Sequence, residues 1–410
     1  MRASGWIGLL AAVAVAAGIA GCGTGNAPPP AAGSSGGAGG STTARSASNS
    51  PSPSPAGSGA TASARPPGGP VPAGFAATSV TWVSPQEAFV LGTAPCAHAP
   101  CTSIVRTLNR GASWAGLPAP VVPVGEPAIG SAPVVWGIRF ATPRIGFVFG
   151  DGLWQTTDGG DQWTQDSTVP SGSILSLAIV AGQVLIVTAQ CTADGGCAAK
   201  GALSRRPLSG GAWTPVIRPA VTSLIDPDDL IDTQAGVAAV VVGFDVFVSH
   251  DGGLTFTLHP VPCVPTSGPP SVAVTSATGL VALCTGEGYT GHTIKQTFVS
   301  DNDGASWARA GAPSPDGDGG VLAATPAGNV VIATESAASW LFYSPDGGRT
   351  WRTVNEQPDG GMGWADLGFT TDTDGVVIHG PAVNDANTQQ RPGQLFLTSD
   401  GGASWTRVTF

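Results

Sequence analysis

The chain has 410 residues, of which 60 are Gly and 36 are Pro, with 42% hydrophobic and only 11% charged. This composition suits many short strands and tight turns and argues against long, charged surface helices. No acidic residue precedes Glu87, so beyond residue 70 all 27 acids stand against 14 basic residues (17 less Arg2, Arg45 and Arg65), about −13, which excludes nucleic acid as the expected partner because counterion displacement needs clustered Lys and Arg.

The chain opens with MRASGWIGLLAAVAVAAGIAGC, one basic residue, then an apolar run, then small residues. That is the layout of a secretory signal, and the run is short for a membrane span. Its end, Ile19, Ala20, Gly21 and Cys22, resembles the lipobox of bacterial lipoproteins. The resemblance implies a signal peptide over 1–21, lipid on Cys22, and an exported protein anchored to the outer face of the cytoplasmic membrane. Residues 22–72 follow, almost entirely Gly, Ala, Ser, Thr, Pro and Asn. Such a stretch buries too little apolar surface to offset its ordering entropy, so a disordered tether is expected. Roughly 50 residues of flexible coil would reach on the order of 40 Å.

From residue 73 to 410 one phrase recurs: LNRGASW ending at Trp114, TTDGGDQW at Trp163, LSGGAW at Trp213, SHDGGLTF at Phe256, SDNDGASW at Trp307, SPDGGRTW at Trp351 and TSDGGASW at Trp405. The intervals of 49, 50, 43, 51, 44 and 54 residues point to a repeat architecture with one supersecondary unit per repeat. A Gly stands three positions before every aromatic, which marks a turn requiring positive φ. Five positions before it stand Asn109, Asp158, Asp251, Asn302, Asp346 and Asp400, with Leu208 the exception. A short side-chain oxygen there can accept main-chain N–H groups of its own turn. The aromatic then begins a strand and can pack between sheets.

Before each turn lies a second phrase, such as IRFATPRIGFVFG or LIDTQAGVAAVVVG, that reads as a strand, a turn and a nearly all-apolar strand. A continuous apolar strand is one covered on both faces. Four antiparallel strands per unit and seven units predict an all-β, seven-bladed β-propeller, with blades near 73–120, 130–170, 171–219, 220–262, 268–313, 319–357 and 362–410. The phrase resembles the Asp-box, or BNR repeat, of sialidases, sortilin-type receptors, xyloglucan-cleaving glycosidases and photosystem II assembly factors. In those families the box is a structural turn on the face away from the ligand site. The resemblance therefore implies scaffold roles for Asn109, Asp158, Asp251, Asn302, Asp346, Asp400, Trp114, Trp163, Trp307, Trp351 and Trp405.

Apart from Cys22 there are six cysteines, an even number in a chain read as exported. Proximity pairs Cys96 with Cys101, Cys191 with Cys197 and Cys263 with Cys284. The strand order puts all three bridges on the rim opposite the repeated turns. No CxxC spacing occurs, and no zinc or other metal site and no cofactor is expected; DGDGG (316–320) and TDTDGV (371–376) resemble calcium loops but lack the full run of oxygen ligands.

The same rim carries CTADGGCAAKG (191–201), TGEGYTGHTIK (285–295) and GPAVNDANTQQRPG (380–393), read as irregular loops, and IDPDDLID (225–232) enters blade 4 there. Loops on a rigid scaffold are the usual carriers of recognition, which makes Asp226, Asp228, Asp229, Glu287, Tyr289, Asp385 and Arg391 the candidate ligand-binding residues. Sialidases need an arginine cluster, a Tyr nucleophile assisted by a Glu, and a further acid. Glu287 and Tyr289 are the weak catalytic candidates, while Arg139 and Arg218 are poor substitutes for the cluster. The leading expectation is a monomeric, non-catalytic propeller that binds a protein or glycan; the alternative is a glycoside hydrolase of sialidase-like type.

Overall fold

The computed structural model describes residues 68–96, 101–125, 133–191, 197–217, 231–234, 236–264, 270–358, 363–380 and 393–410. They form seven four-stranded antiparallel sheets and, among them, no helix. The first blade is β1 (Ala76–Trp82), β2 (Ala88–Ala94), β3 (Cys101–Thr107) and β4 (Ala115–Leu117). The second is β5 (Val135–Phe140), β6 (Gly146–Gly150), β7 (Leu153–Thr156) and β8 (Thr164–Gln165). The third is β9 (Ser173–Val180), β10 (Gln183–Cys191), β11 (Cys197–Pro207) and β12 (Thr214–Ile217). The fourth is β13 (Ile231–Gln234), β14 (Val237–Val242), β15 (Asp245–Ser249) and β16 (Thr257–Pro260). The fifth is β17 (Ser271–Val274), β18 (Leu280–Tyr289), β19 (His292–Ser300) and β20 (Ala308–Arg309). The sixth is β21 (Asp318–Ala324), β22 (Val330–Glu335), β23 (Ser339–Ser344) and β24 (Arg352–Gln357). The seventh is β25 (Trp364–Phe369), β26 (Gly375–His379), β27 (Gln394–Thr398) and β28 (Thr406–Arg407). The architecture is the seven-bladed propeller that the repeat predicts.

Each blade packs on two others, and the apolar second strands show why they lack alternation. In β14 every residue is buried. Ala238, Val240 and Val242 pack with Leu185 and Leu203 of the third blade, while Val237, Ala239 and Val241 pack with Val272, Val274 and Leu280 of the fifth. Successive side chains of a strand point to opposite faces, so a sheet sandwiched between sheets needs apolar residues at every position. Seven such clusters fill the seven junctions between blades.

The ring closes without a shared blade. Every sheet is built of consecutive strands, and the seventh meets the first through Ile378 and Leu395 against Ala77, Val80 and Val90. Phe410 adds an edge-on contact with Phe75 (4.9 Å between ring centres) and lies 5.1 Å from Trp114. An ion pair between Arg110 and Asp374 crosses the same junction. Ahead of β1, the backbone of Gly69 pairs with Gly116 of β4 through two hydrogen bonds of 3.0 and 2.8 Å.

The repeated phrase forms one turn six times over. In TSDGGASW, Asp400 Oδ1 accepts the Ser404 N–H (2.9 Å) and the Thr398 hydroxyl (2.7 Å), and Thr398 Oγ1 in turn accepts the Gly402 N–H (3.0 Å). Asp158 with Thr156, Asp251 with Ser249 and Asp346 with Ser344 repeat it, and Asn109 with Thr107 and Asn302 with Ser300 do so with an amide in place of the carboxylate. Gly402 has φ +97, and a Cβ there would come within 2.5 Å of Val331 in the sixth blade, so glycine is required on two counts. The third blade lacks the acid. There Arg206 lies 4.7 Å from the Trp213 ring and pairs with the Asp166 carboxylate of the second blade, a different tie at the equivalent place.

The aromatics that end the repeated phrase are half-buried rather than buried. Trp163 and Trp307 donate their indole N–H to Pro118 and Pro260 carbonyls of the preceding blade, and Trp351 and Trp405 to Gly348 and Gly402 of their own turns. Their place after the turn suggests fuller burial, but the fourth strands are the outer ones, where one edge of each ring meets solvent.

The hydrogen bonds within the repeated turns hold their carboxyls below the usual range. For Asp251 the Thr255 hydroxyl and N–H do most, taking it to about 2; for Asp346 burial works the other way but is outweighed by Thr350 and Ser344, again to about 2. A carboxyl whose pKa is lowered by folding stabilises the fold above its unfolded value near 3.8 and loses that contribution as the pH falls toward 2. Asp400→Ala is expected to lower stability by about 1–2 kcal/mol at pH 7. Its effect should shrink at pH 2.5, and ligand binding by the folded protein should be unchanged; urea melts at the two pH values check this.

Candidate functional site

Two places can meet a ligand: the rim opposite the repeated turns, and the central channel. The turn between each blade's first and second strands lies beside the repeated turn, as shown by main-chain bonds from Arg110 to Gln86, Gly159 to Arg144, Asp303 to Thr278 and Gly401 to Thr373. The hairpin between the second and third strands therefore projects from the opposite face.

On that rim Cys96 is bonded to Cys101 and Cys263 to Cys284. Cys191 and Cys197 oppose each other in register across β10 and β11. The stretch 285–295, read from sequence as an irregular loop, is instead the outer part of a long hairpin: β18 runs to Tyr289 and β19 starts at His292, with a bulge between Thr285 and Gly288. Cross-strand pairing of Gly288 with Thr293 and of Tyr289 with His292 carries the ladder beyond the blade. Residues 191 and 197–201 are likewise strand. The sequence signal missed was alternation across a two-residue Thr-Gly turn, masked by three glycines in the stretch.

Glu287 and Tyr289 are both exposed on this hairpin, and the Tyr289 ring lies 5.0 Å from His292. Ile294 and Val264 are exposed as well, at 54% and 62%. Asp226, Asp228, Asp229, Asp385, Arg391 and Arg218 lie outside the described residues. The two catalytic candidates are thus on an open edge, not in a cavity.

Beside this hairpin, the sequence DGDGG serves a lysine. The Lys295 ammonium, almost fully buried, donates to the carbonyls of Gly317 (2.7 Å) and of Thr293, Pro315 and Asp316 (3.1 Å each). Burial lowers its pKa to about 8, opposed by the Asp318 and Asp316 carboxylates. The carbonyls that a calcium loop would turn inward are turned onto a side-chain cation instead. In TDTDGV, Asp374 accepts the Thr371 hydroxyl (3.0 Å) and pairs with Arg110.

The channel has a volume of about 600 Å³ and is lined by the first strands of all seven blades. Its charged side chains among the described residues are Arg139, Asp232 and Asp366. Asp366 stands in a bulge of β25 with φ +49, a left-handed conformation that Asp tolerates better than most residues. Its Oδ2 accepts the Val80 N–H of the first blade (2.7 Å) and its Oδ1 takes Arg139 Nη2 of the second (2.7 Å). Arg139 Nη1 also reaches Ser79 Oγ (3.2 Å) and the Ile138 carbonyl (2.8 Å). One group of side chains therefore ties three blades across the ring closure. Among the described residues the channel holds a single arginine, committed to a carboxylate, rather than an arginine cluster.

On the other side of the channel, Asp232 Oδ2 accepts the Val274 N–H at 2.6 Å. Burial raises its pKa to about 6, against the lowering effect of the Val274 and Thr233 N–H groups. Neither Asp232 nor Asp366 belongs to the candidate set read from sequence. Asp232 ends the acidic stretch IDPDDLID singled out from sequence, whereas Asp366 stands alone in WADLGF, and only the ring brings the two to one cavity.

The fold and these sites define a β-propeller whose inner strands line a central channel and whose hairpins form a stapled rim. No known protein family's sequence profile matches the chain, and no curated protein matches it in sequence. Its likeness is to solved propellers. The structure of YCF48 bound to D1 peptide aligns with a TM-score of 0.51 at 18% identity, over 81% of this chain and 95% of that one. YCF48 from Cyanidioschyzon merolae aligns with a TM-score of 0.50 at 16% identity, over 81% and 97%. A GH74 enzyme from Niastella koreensis aligns at 0.32 with 13% identity, over 81% and 65%.

Proposed function

We propose that the chain is an exported, lipid-anchored propeller that binds a protein partner on its stapled rim without performing chemistry. The observation that carries this reading is the β18–β19 hairpin, which projects beyond its blade with Glu287, Tyr289 and Ile294 exposed and is tied at its base by the Cys263–Cys284 bridge. Exposed apolar and aromatic side chains on a rigid, pre-ordered strand pair lower the ordering cost of association. The propeller of YCF48 is a fold relative solved with a peptide bound, which supports a protein ligand over a small substrate. The lipobox at Cys22 and the cysteine pairing support export. The alternative, a glycoside hydrolase, is favoured by two channel acids in unlike environments, one beside an arginine and one with a raised pKa.

A photo-reactive phenylalanine analogue at position 289, in cells producing the full chain, tests the binding reading. A discrete crosslinked adduct is expected from position 289 and none from position 351 on the opposite face. Equal adducts from both positions, or none from 289, reject the rim as the binding surface. Turnover of aryl glycosides that is lost in Asp232→Asn would establish the alternative.

A further inference from the structure

Asp232 and Asp366 occupy matching places in the fourth and seventh blades. Asp232 opposes Ala239, the third residue of β14, and Asp366 lies in the bulge opposite Val377, the third residue of β26. Each accepts the N–H of the following blade's first strand, Val274 and Val80 respectively. Asp366 also holds the Arg139 guanidinium, whereas Asp232 makes no ion pair among the described residues.

Two residues along β13, on the same face of the strand, stands Gln234. Its Nε2 donates to the Ala324 carbonyl of the sixth blade (3.1 Å), and its Oε1 is buried without a hydrogen-bond partner. A carboxylate lacking a cation and an amide oxygen lacking a donor thus share one wall of an open cavity. Buried acceptors without donors are unfavourable unless a ligand supplies them. The strands packed on β13 add no charge, since β9, β14 and β17 carry no titratable side chain and β21 carries only Asp318 at the end that adjoins the Lys295 cage.

We propose that Asp232 and Gln234 form a subsite for an N–H cation, a guanidinium or primary ammonium group, that enters the channel and supplies Asp232 with the kind of partner Arg139 gives Asp366. The volume of about 600 Å³ exceeds what one such side chain fills. The raised pKa of Asp232 is the mark of a carboxylate that lacks such a partner, and a bound cation would bring it down. The inference does not depend on which protein meets the rim.

The test uses the full chain and ligand-observed NMR titrations with acetyl-arginine amide, acetyl-lysine amide, spermidine and the neutral acetyl-citrulline amide. Saturable binding of the cations at pH 7.5 is expected, with citrulline at least tenfold weaker. Binding should fall about tenfold at pH 5 as Asp232 takes up a proton. Asp232→Asn keeps an acceptor for Val274 and should lose at least tenfold in affinity and the pH dependence, with no loss in melting temperature. Gln234→Leu should lose several-fold, and Asp301→Asn, an exposed acid outside the channel, should lose nothing. Preference among the probes separates a side chain from a free polyamine. Equal binding of citrulline, unchanged affinity in Asp232→Asn, or an equal loss in Asp301→Asn overturns the proposal.

Discussion

Asp366→Ala is expected to destabilise the propeller by about 2–4 kcal/mol at neutral pH, more than Asp400→Ala in a repeated turn. The carboxylate satisfies two groups at the junction that closes the ring, the Val80 N–H and the Arg139 guanidinium. Its removal leaves a partly buried cation and an open main-chain donor facing each other across three blades. Because much of the cost is the loss of the carboxylate beside the Arg139 cation, Arg139→Met in the Asp366→Ala background should restore part of the loss. A double-mutant cycle by urea denaturation reads this as a coupling of about 1–3 kcal/mol. Additive effects, or a single-mutant cost below about 1 kcal/mol, would show that the apolar junction of Ile378, Leu395 and Val80 closes the ring unaided.

Raising the pH from 7 to 9.5 should stabilise the protein by about 2 kcal/mol through Lys295 alone. Its folded pKa of about 8 lies below the ordinary value of 10.5, because burial penalises the ammonium more than the nearby acids favour it. Between those two values the unfolded chain binds more protons than the folded one, so stability rises with pH across that window and is flat well below it. Lys295→Met removes the dependence, and the difference between the two chains' pH profiles isolates it from the two tyrosines and the other lysine, Lys200. Three of the four carbonyls around the ammonium also have other donors: Thr293 N–H reaches Pro315 and Gly317, and the Thr334 hydroxyl reaches Asp316. The variant should therefore fold. A profile for the wild type that matches that of Lys295→Met would mean that Lys295 is not buried as a cation.

The repeated turn explains why the fold could be read from the sequence. Its requirements are local: a glycine with positive φ, a carboxylate four residues before a main-chain N–H that it accepts, a hydroxyl two residues before the acid. Local requirements leave local signatures, and seven copies about 50 residues apart determined seven blades. The all-apolar second strands added that each sheet is covered on both faces, as β14 is. Cysteine spacing placed the stapled rim because both partners of each bridge are close in sequence. What needed the tertiary structure was everything joined across blades. Asp366 meets Arg139 from 227 residues away, and Gln234 meets Ala324 from 90. In sequence neither pair carries a motif, since the partner is chosen by the closing of the ring. The calcium-like DGDGG became the cage of Lys295 for the same reason: a run of main-chain carbonyls states what it can hold, and only packing against β19 decides which cation arrives.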